Sequence, residues 1–288
     1  MSPASPKRSI VAPTSAEAVL AQNVGDAAFA TTLAKGLVVL EAFGAGQTSL
    51  GNLDISARTG IPRPTVARLT YTLAELGYLR YDPQKARYSL NGRVLRLVRP
   101  LLADMKFRQT ARPLMQELAE SVRGTVSIGI LDGASAIYVE SARSGDVGSH
   151  VPDIGMPISV VSTAMGRALA SLLSPDRVAH LEQDIRADSA QSWSDFRPKF
   201  RAGIEQCIDR GFCTCVGEYI ETIHAVAAPL FLAPDLDQPF AINCGIPAFR
   251  LLPGQLEAEI GPRLRALATS IRSLVGVREP NATRSKNA

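Results

Sequence analysis

The chain reads as α+β, with a helical front domain closed by a short hairpin and a back domain built on an antiparallel sheet flanked by helices. Three observations predict that class. Apolar residues recur at helical spacing between Thr31 and Gly77, whereas from Thr125 they come in strand-like runs clustered between helices. The composition, 46% hydrophobic and 20% charged over 288 residues, is that of a folded chain long enough for two cores. The charge is divided as well: through Arg108 there are 14 Lys or Arg against 7 Asp or Glu, and beyond it 17 against 20. A basic front and a mildly acidic back point to a polyanionic partner for the front alone.

Residues 1–30 are rich in Ser, Pro and Ala without sustained periodicity and are expected to form a disordered tail, as is 278–288. No apolar run approaches the roughly 20 residues of a membrane span. The best, Ala225 to Ala233, holds Pro229 and stops at Pro234. Lys7 and Arg8 are not followed by the apolar segment of a secretory signal, so a cytoplasmic location is expected. There Cys207, Cys213, Cys215 and Cys244 should be reduced and mostly buried, and no pair has zinc-knuckle spacing. His150, His180 and His224 stand alone, so neither a metal nor a cofactor is expected.

The front domain is expected over 31–91. Leu33, Leu37 and Leu40 mark a first helix, with Thr31 or Thr32 to cap it and Gly44 to end it. A short second helix runs from about Leu53 to Thr59 and stops at Gly60. In the third, Val66, Leu69, Leu73 and Leu76 share one apolar face, Pro64 suits the first turn and Gly77 the end. Opposite that stripe lie Thr65, Arg68 and Thr72, with Arg63 at the start and Tyr71 on the flank. Tyr78–Tyr81 and Arg87–Leu90 form a hairpin with Arg80, Lys85 and Arg87 near its tip. Two helices joined at a glycine, then a basic wing, are what a winged helix-turn-helix requires. Double-stranded DNA is therefore the expected partner. Arg63, Pro64, Thr65, Arg68, Tyr71 and Thr72 would face the major groove, and Lys85 and Arg87 would grip phosphates.

A linker helix is expected over 92–108, its apolar stripe from Val94 to Leu102 serving dimerisation or packing, with Pro100 and Pro113 at helix starts or kinks. The back domain, 109–277, opens with strands Thr125–Leu131 and Ala136–Ser141 joined by a tight turn. Helices follow near Thr163–Leu173, Pro175–Gln183 and Phe196–Arg210. Strands Phe212–Glu218, Ile223–Leu232 and Phe240–Pro247 precede a last helix, Gln255–Val275.

Several local strings, in this order, resemble the IclR family of bacterial transcriptional regulators. In front they are Arg58-Thr59-Gly60-Ile61-Pro62-Arg63-Pro64-Thr65-Val66-Ala67-Arg68-Leu69 and Glu75-Leu76-Gly77-Tyr78-Leu79. Behind come the stretch from Ala111 to Ala119, Gly129-Ile130-Leu131-Asp132-Gly133, Ser162 to Leu169, Arg210-Gly211-Phe212 and Ala225 to Leu230. The resemblance implies a GAF-like effector-binding back domain and assembly as a homodimer or homotetramer. It also implies a pocket for a small organic acid or aromatic metabolite at Ala164, Met165, Cys215, Glu218, Ala225, Asn243 and Gly245. The free N–H groups of a helix start and a polar Asn243 within an apolar strand are compatible with such a pocket. The chain departs from the family at Cys213-Thr214-Cys215, at Asn243-Cys244-Gly245 and at Pro64, which implies a more apolar pocket and one hydroxyl fewer for phosphate.

An enzyme is the rival class. The Gly-x-Ser-x-Gly, Gly-x-x-x-x-Gly-Lys and Gly-x-Gly-x-x-Gly signatures do not occur. The remaining idea is Cys215 as a nucleophile with His224 as its base, or a redox switch among Cys213, Cys215 and Cys244.

Overall fold

The computed structural model describes residues 20, 23, 25–44, 47–145, 152–233 and 237–277. These fall into two compact units that divide between Met105 and Lys106. The tail expected at 278–288 lies outside the described residues, as does most of the one expected at 1–30.

The first unit contains α1 (Thr31–Glu41), α2 (Asn52–Thr59), α3 (Arg63–Glu75), β1 (Leu79–Asp82) and β2 (Arg87–Leu90), then a 3₁₀ turn (Gly92–Val94) and α4 (Leu95–Asp104). Val39, Leu50, Ile55, Val66 and Leu79 form its core. Gly60 ends α2 with φ of 65°, a left-handed conformation a side chain would oppose, and so sets the turn into α3. The expected stripe of α1 is corrected: Gly36, Val38 and Val39 are buried, while Leu33 and Leu37 are 65% and 49% exposed. No threonine side chain caps this helix, whose N-cap is Ala30. In α3, Val66, Leu69 and Leu73 are buried as expected, but Leu76, at the C-cap, is exposed. Thr70 takes the fourth inward place and donates to Asn52 Oδ1 at 3.0 Å, tying α3 to α2.

The linker stretch forms α4, and Pro100 lies inside it. Leu95, Leu97 and Leu101 stay exposed along that helix.

The second unit begins with α5 (Phe107–Val122), in which Pro113 is again internal. It continues with β3 (Thr125–Asp132), β4 (Ser135–Arg143), β5 (Pro157–Ser159), α6 (Ala164–Ala170), α7 (Pro175–Asp188) and α8 (Ala190–Arg210). It ends with β6 (Cys213–Val216), β7 (Ile223–Ala233), β8 (Gln238–Pro247), a π turn (Leu256–Ile260) and α9 (Gly261–Leu274). Two helices are longer than their apolar pattern, and the three-residue β5 carried no pattern to read. The strands form one antiparallel sheet in the order β5-β4-β3-β8-β7-β6. The expected antiparallel α+β architecture is therefore present.

Sequence alternation explains how the sheet carries a layer on each side. Val126, Ile128, Ile242 and Cys244 face one way, where α5 and α9 pack. Thr125, Ser127, Asn243 and Gly245 face the other, where α6 crosses the sheet. Thr163 fixes the start of α6, accepting from Gly166 N at 3.1 Å and donating to Ser159 O at 2.6 Å. A Cβ on Gly166 would meet the Val160 backbone, so the helix can approach this closely only through glycine.

Candidate functional site

In the first unit, the turn at Gly60 and the packing of α3 on α2 leave one side of α3 bare. Arg63, Pro64, Arg68, Tyr71 and Thr72 are exposed and Thr65 is half-buried, so all six expected residues lie off the packed side of α3. Thr72 spends its hydroxyl proton locally, donating to Arg68 O at 2.9 Å. Tyr81 and Tyr88 stack across the hairpin with centroids 4.8 Å apart. Lys85, with its side chain 73% exposed and 4.0 Å from Asp82, projects from the turn.

Arg87 is placed differently from the expectation. It binds Asp54 at 2.8 Å and donates to Ser49 O at 2.8 Å, so it fastens the wing to α2. The Gly51 N–H first, and then Arg87, hold the Asp54 carboxyl below its ordinary 3.8.

In the second unit a cleft of about 630 Å³, counting its open mouth, lies between the sheet and the start of α6. It gathers Ala164, Cys215, Ala225, Asn243 and Gly245, five of the seven residues expected to line a pocket. They come from α6, β6, β7 and β8, and the ladder partners Cys215–Ala225 and Ala225–Gly245 account for their shared face. Gly245 keeps the floor open, since a Cβ there would stand 3.1 Å from Thr125 Oγ1.

Met165 and Glu218 are the two that do not line it. Met165 is fully buried against Gly129. Glu218 lies beyond the end of β6, in a loop, and closes on Arg167 in a two-oxygen ion pair. Lys199 approaches the same carboxylate at 3.8 Å. Burial opposes the charge of Arg167, yet the Glu218 carboxylate outweighs it and holds the guanidinium pKa above its ordinary value.

Sequence reasoning missed Tyr138, Tyr219, Ile220 and Ile223, which also line the cleft. Tyr138 was hidden by a bulge. On a regular strand it would share the face of Glu140, which points to Arg108 and Arg112 of α5. The register slips between Ile128 and Gly129, so Tyr138 stands opposite Gly129 and turns into the cleft. Burial pushes its phenol up to about 12, against a lowering hydrogen bond from Asn243.

The nucleophile reading of Cys215 is corrected by register. Cys215 pairs with Ala225 and Val216 with His224, so the thiol and the imidazole point to opposite faces of the sheet. Cys244 pairs with Val226, which likewise turns it away from Cys213 and Cys215. Burial first, then Glu218, raises the Cys215 thiol, and burial takes Cys244 to about 12. Among the described residues no group of three or more His, Cys, Asp or Glu is placed to hold a metal, and no helix is long and apolar enough to cross a membrane.

Comparison with known proteins agrees with these two units. The model of the IclR helix-turn-helix domain matches residues 32–83, and that of the bacterial transcriptional regulator IclR C-terminal domain matches 100–273. An HTH-type transcriptional regulator TsaQ1/TsaQ2 of Comamonas testosteroni is 28% identical over 254 residues, covering 86% of this chain and 90% of its own. A p-hydroxybenzoate hydroxylase transcriptional activator of Acinetobacter baylyi is 28% identical over 255 residues, covering 84% and 91%. The crystal structure of an IclR family transcriptional regulator from Brucella abortus superposes with a TM-score of 0.76 at 33% identity, covering 88% of this chain and 95% of that one. These relatives are regulators of transcription and not enzymes, and with family matches across both units the chain belongs to the IclR family of bacterial transcriptional regulators.

Proposed function

We propose that the chain reads double-stranded operator DNA with α3 and that a small organic acid or aromatic metabolite in the cleft of the second unit modulates that binding. The observation that carries the effector half is the convergence of four elements on a mostly apolar cleft floored by a glycine. The DNA half rests on the exposed basic and hydroxylic face of α3 and on Lys85 beside it. Arg63 and Arg68 are the base-reading candidates, because a guanidinium pairs two ways with guanine. Pro64, Thr65, Tyr71 and Thr72 complete the contact face, and Lys85 takes a phosphate. Arg87 acts by positioning the wing.

The working unit is a homodimer or homotetramer in the cytoplasm, where the DNA is. Leu33 and Leu37 of α1, and Leu95, Leu97 and Leu101 of α4, are exposed leucines whose burial in a second copy would be favourable. Effector binding shifts the spacing of paired α3 helices by favouring one arrangement of the subunits. Operator DNA titrated with and without small aromatic compounds tests this, alongside an Ala225→Trp variant that fills the cleft. Ligand-dependent change in the wild type, lost in the variant, is the expected result. A response that survives in the variant refutes the assignment of the cleft.

A further inference from the structure

The polar groups of the cleft are unequally engaged. Thr163 is used at both its proton and its oxygen. Cys215 donates to Ser162 O at 3.4 Å and Thr125 to Gly245 O at 3.4 Å. Tyr219 also lines the cleft but is 42% exposed, and two neighbouring buried groups remain. Asn243 is 8% exposed, and its Oδ1 is buried with no hydrogen-bond partner. Beside it is the hydroxyl of Tyr138, 6% exposed and aimed inward by the bulge. Asn243 lowers the Tyr138 pKa, the effect of an amide N–H donating to the phenol oxygen. That leaves the Asn243 oxygen as an acceptor and the Tyr138 proton as a donor, side by side in an apolar cleft.

A carboxylate carries only acceptors, so it would set a negative charge against a bare carbonyl oxygen. A hydroxyl carries one donor and two acceptor lone pairs and answers both groups at once. The described residues lining the cleft are all uncharged, and the nearby guanidinium of Arg167 is already matched by Glu218.

We propose that the cleft selects an uncharged, hydroxyl-bearing aromatic ring, of which phenol is the simplest, with Asn243 accepting from the ligand hydroxyl and Tyr138 donating to it. Tyr138 is then a specificity-determining residue. This rests on the cleft being the effector site.

The test is calorimetric titration of the full chain at pH 7.5 with phenol, toluene and benzoate, repeated with Tyr138→Phe and Ala225→Trp. Wild-type protein should bind phenol at least about tenfold more tightly than toluene and show no benzoate binding, because one buried hydrogen bond is worth about that factor. Tyr138→Phe should weaken phenol about tenfold and leave toluene unchanged. The wild-type phenol-to-toluene ratio needs no variant to fold. Benzoate binding as tight as phenol, equal binding of phenol and toluene, or failure of all three at millimolar concentration overturns the proposal. If benzoate binds and Ala225→Trp abolishes it, the class is wrong while the cleft stands. Phenol binding untouched by Ala225→Trp overturns the cleft itself.

Discussion

Replacing Glu218 by Leu leaves Arg167 charged in a space that is 2% exposed, with the Thr214 carbonyl at 3.1 Å as its remaining oxygen contact. The guanidinium cannot leave, because its stem fills the space that Gly203 vacates and is packed there between α6 and α8. Removing one member of a buried pair costs about 3 to 5 kcal/mol. In a domain of this size, about 2 to 4 °C of melting temperature accompanies each kcal/mol, so Glu218→Leu should lower the transition by about 6 to 20 °C. Arg167→Met should fall toward the lower end of that range, since Lys199 remains 3.8 Å from the orphaned carboxylate. The double variant Arg167→Met/Glu218→Leu should recover most of the loss, because matched apolar groups replace a buried pair at little net cost. Scanning calorimetry of the four proteins measures all of this. A Glu218→Leu protein within about 1 kcal/mol of the wild type, or a double variant as unstable as the two losses added, would refute the reasoning. Glu218 would then have to be reconsidered as a group reserved for the ligand.

Three further outcomes follow from the same geometry. The four buried cysteines should resist a disulfide reagent at pH 8 until the protein is unfolded; fast reaction of a native thiol would reopen the redox reading. Asp54 should titrate below 3.8 by carboxyl NMR, since its charged form is the one held by Gly51 and Arg87. The wing contact it provides is thus present above the ordinary carboxylate range and lost as pH falls through the lowered midpoint, and a midpoint at or above 3.8 would contradict the anchoring role. Lys85→Ala should weaken binding to all DNA sequences alike and reduce the salt slope by about one, whereas a sequence-selective loss would mean that it reads bases.

How much was legible depended on whether one residue pattern admits one packing. The three-four step of Val66, Leu69 and Leu73 between Pro64 and Gly77 fixes α3, because one face alone is apolar. In α1 two apolar faces coexist, and the spacing of Leu33, Leu37 and Leu40 cannot say which meets the core; Val38 and Val39 do. The extent of α8 was missed because Ala190 to Asp195 carries only Trp193 as a large apolar anchor before Phe196. Cleft residues such as Cys215, Asn243 and Gly245 came from the resemblance to the family, and the ladder, by preserving alternation, keeps them on one face. Tyr138 was not, since a bulge reverses the parity of its strand and leaves no mark in the sequence. Glu218 and Arg87 were identified as polar groups near the sites, but their partners, Arg167 and Asp54, lie 51 and 33 positions away and are set by tertiary contact.

The most direct measurement is fluorescence anisotropy of the DNA immediately upstream of this chain's own gene, titrated with wild-type, Arg63→Ala and Arg68→Ala proteins at two salt concentrations against scrambled competitor. The account predicts competitor-resistant wild-type binding and a loss of about 1 to 3 kcal/mol in each variant without change in folding. Variants that bind the specific fragment as tightly as the wild type would contradict the assignment of α3 as the reading helix.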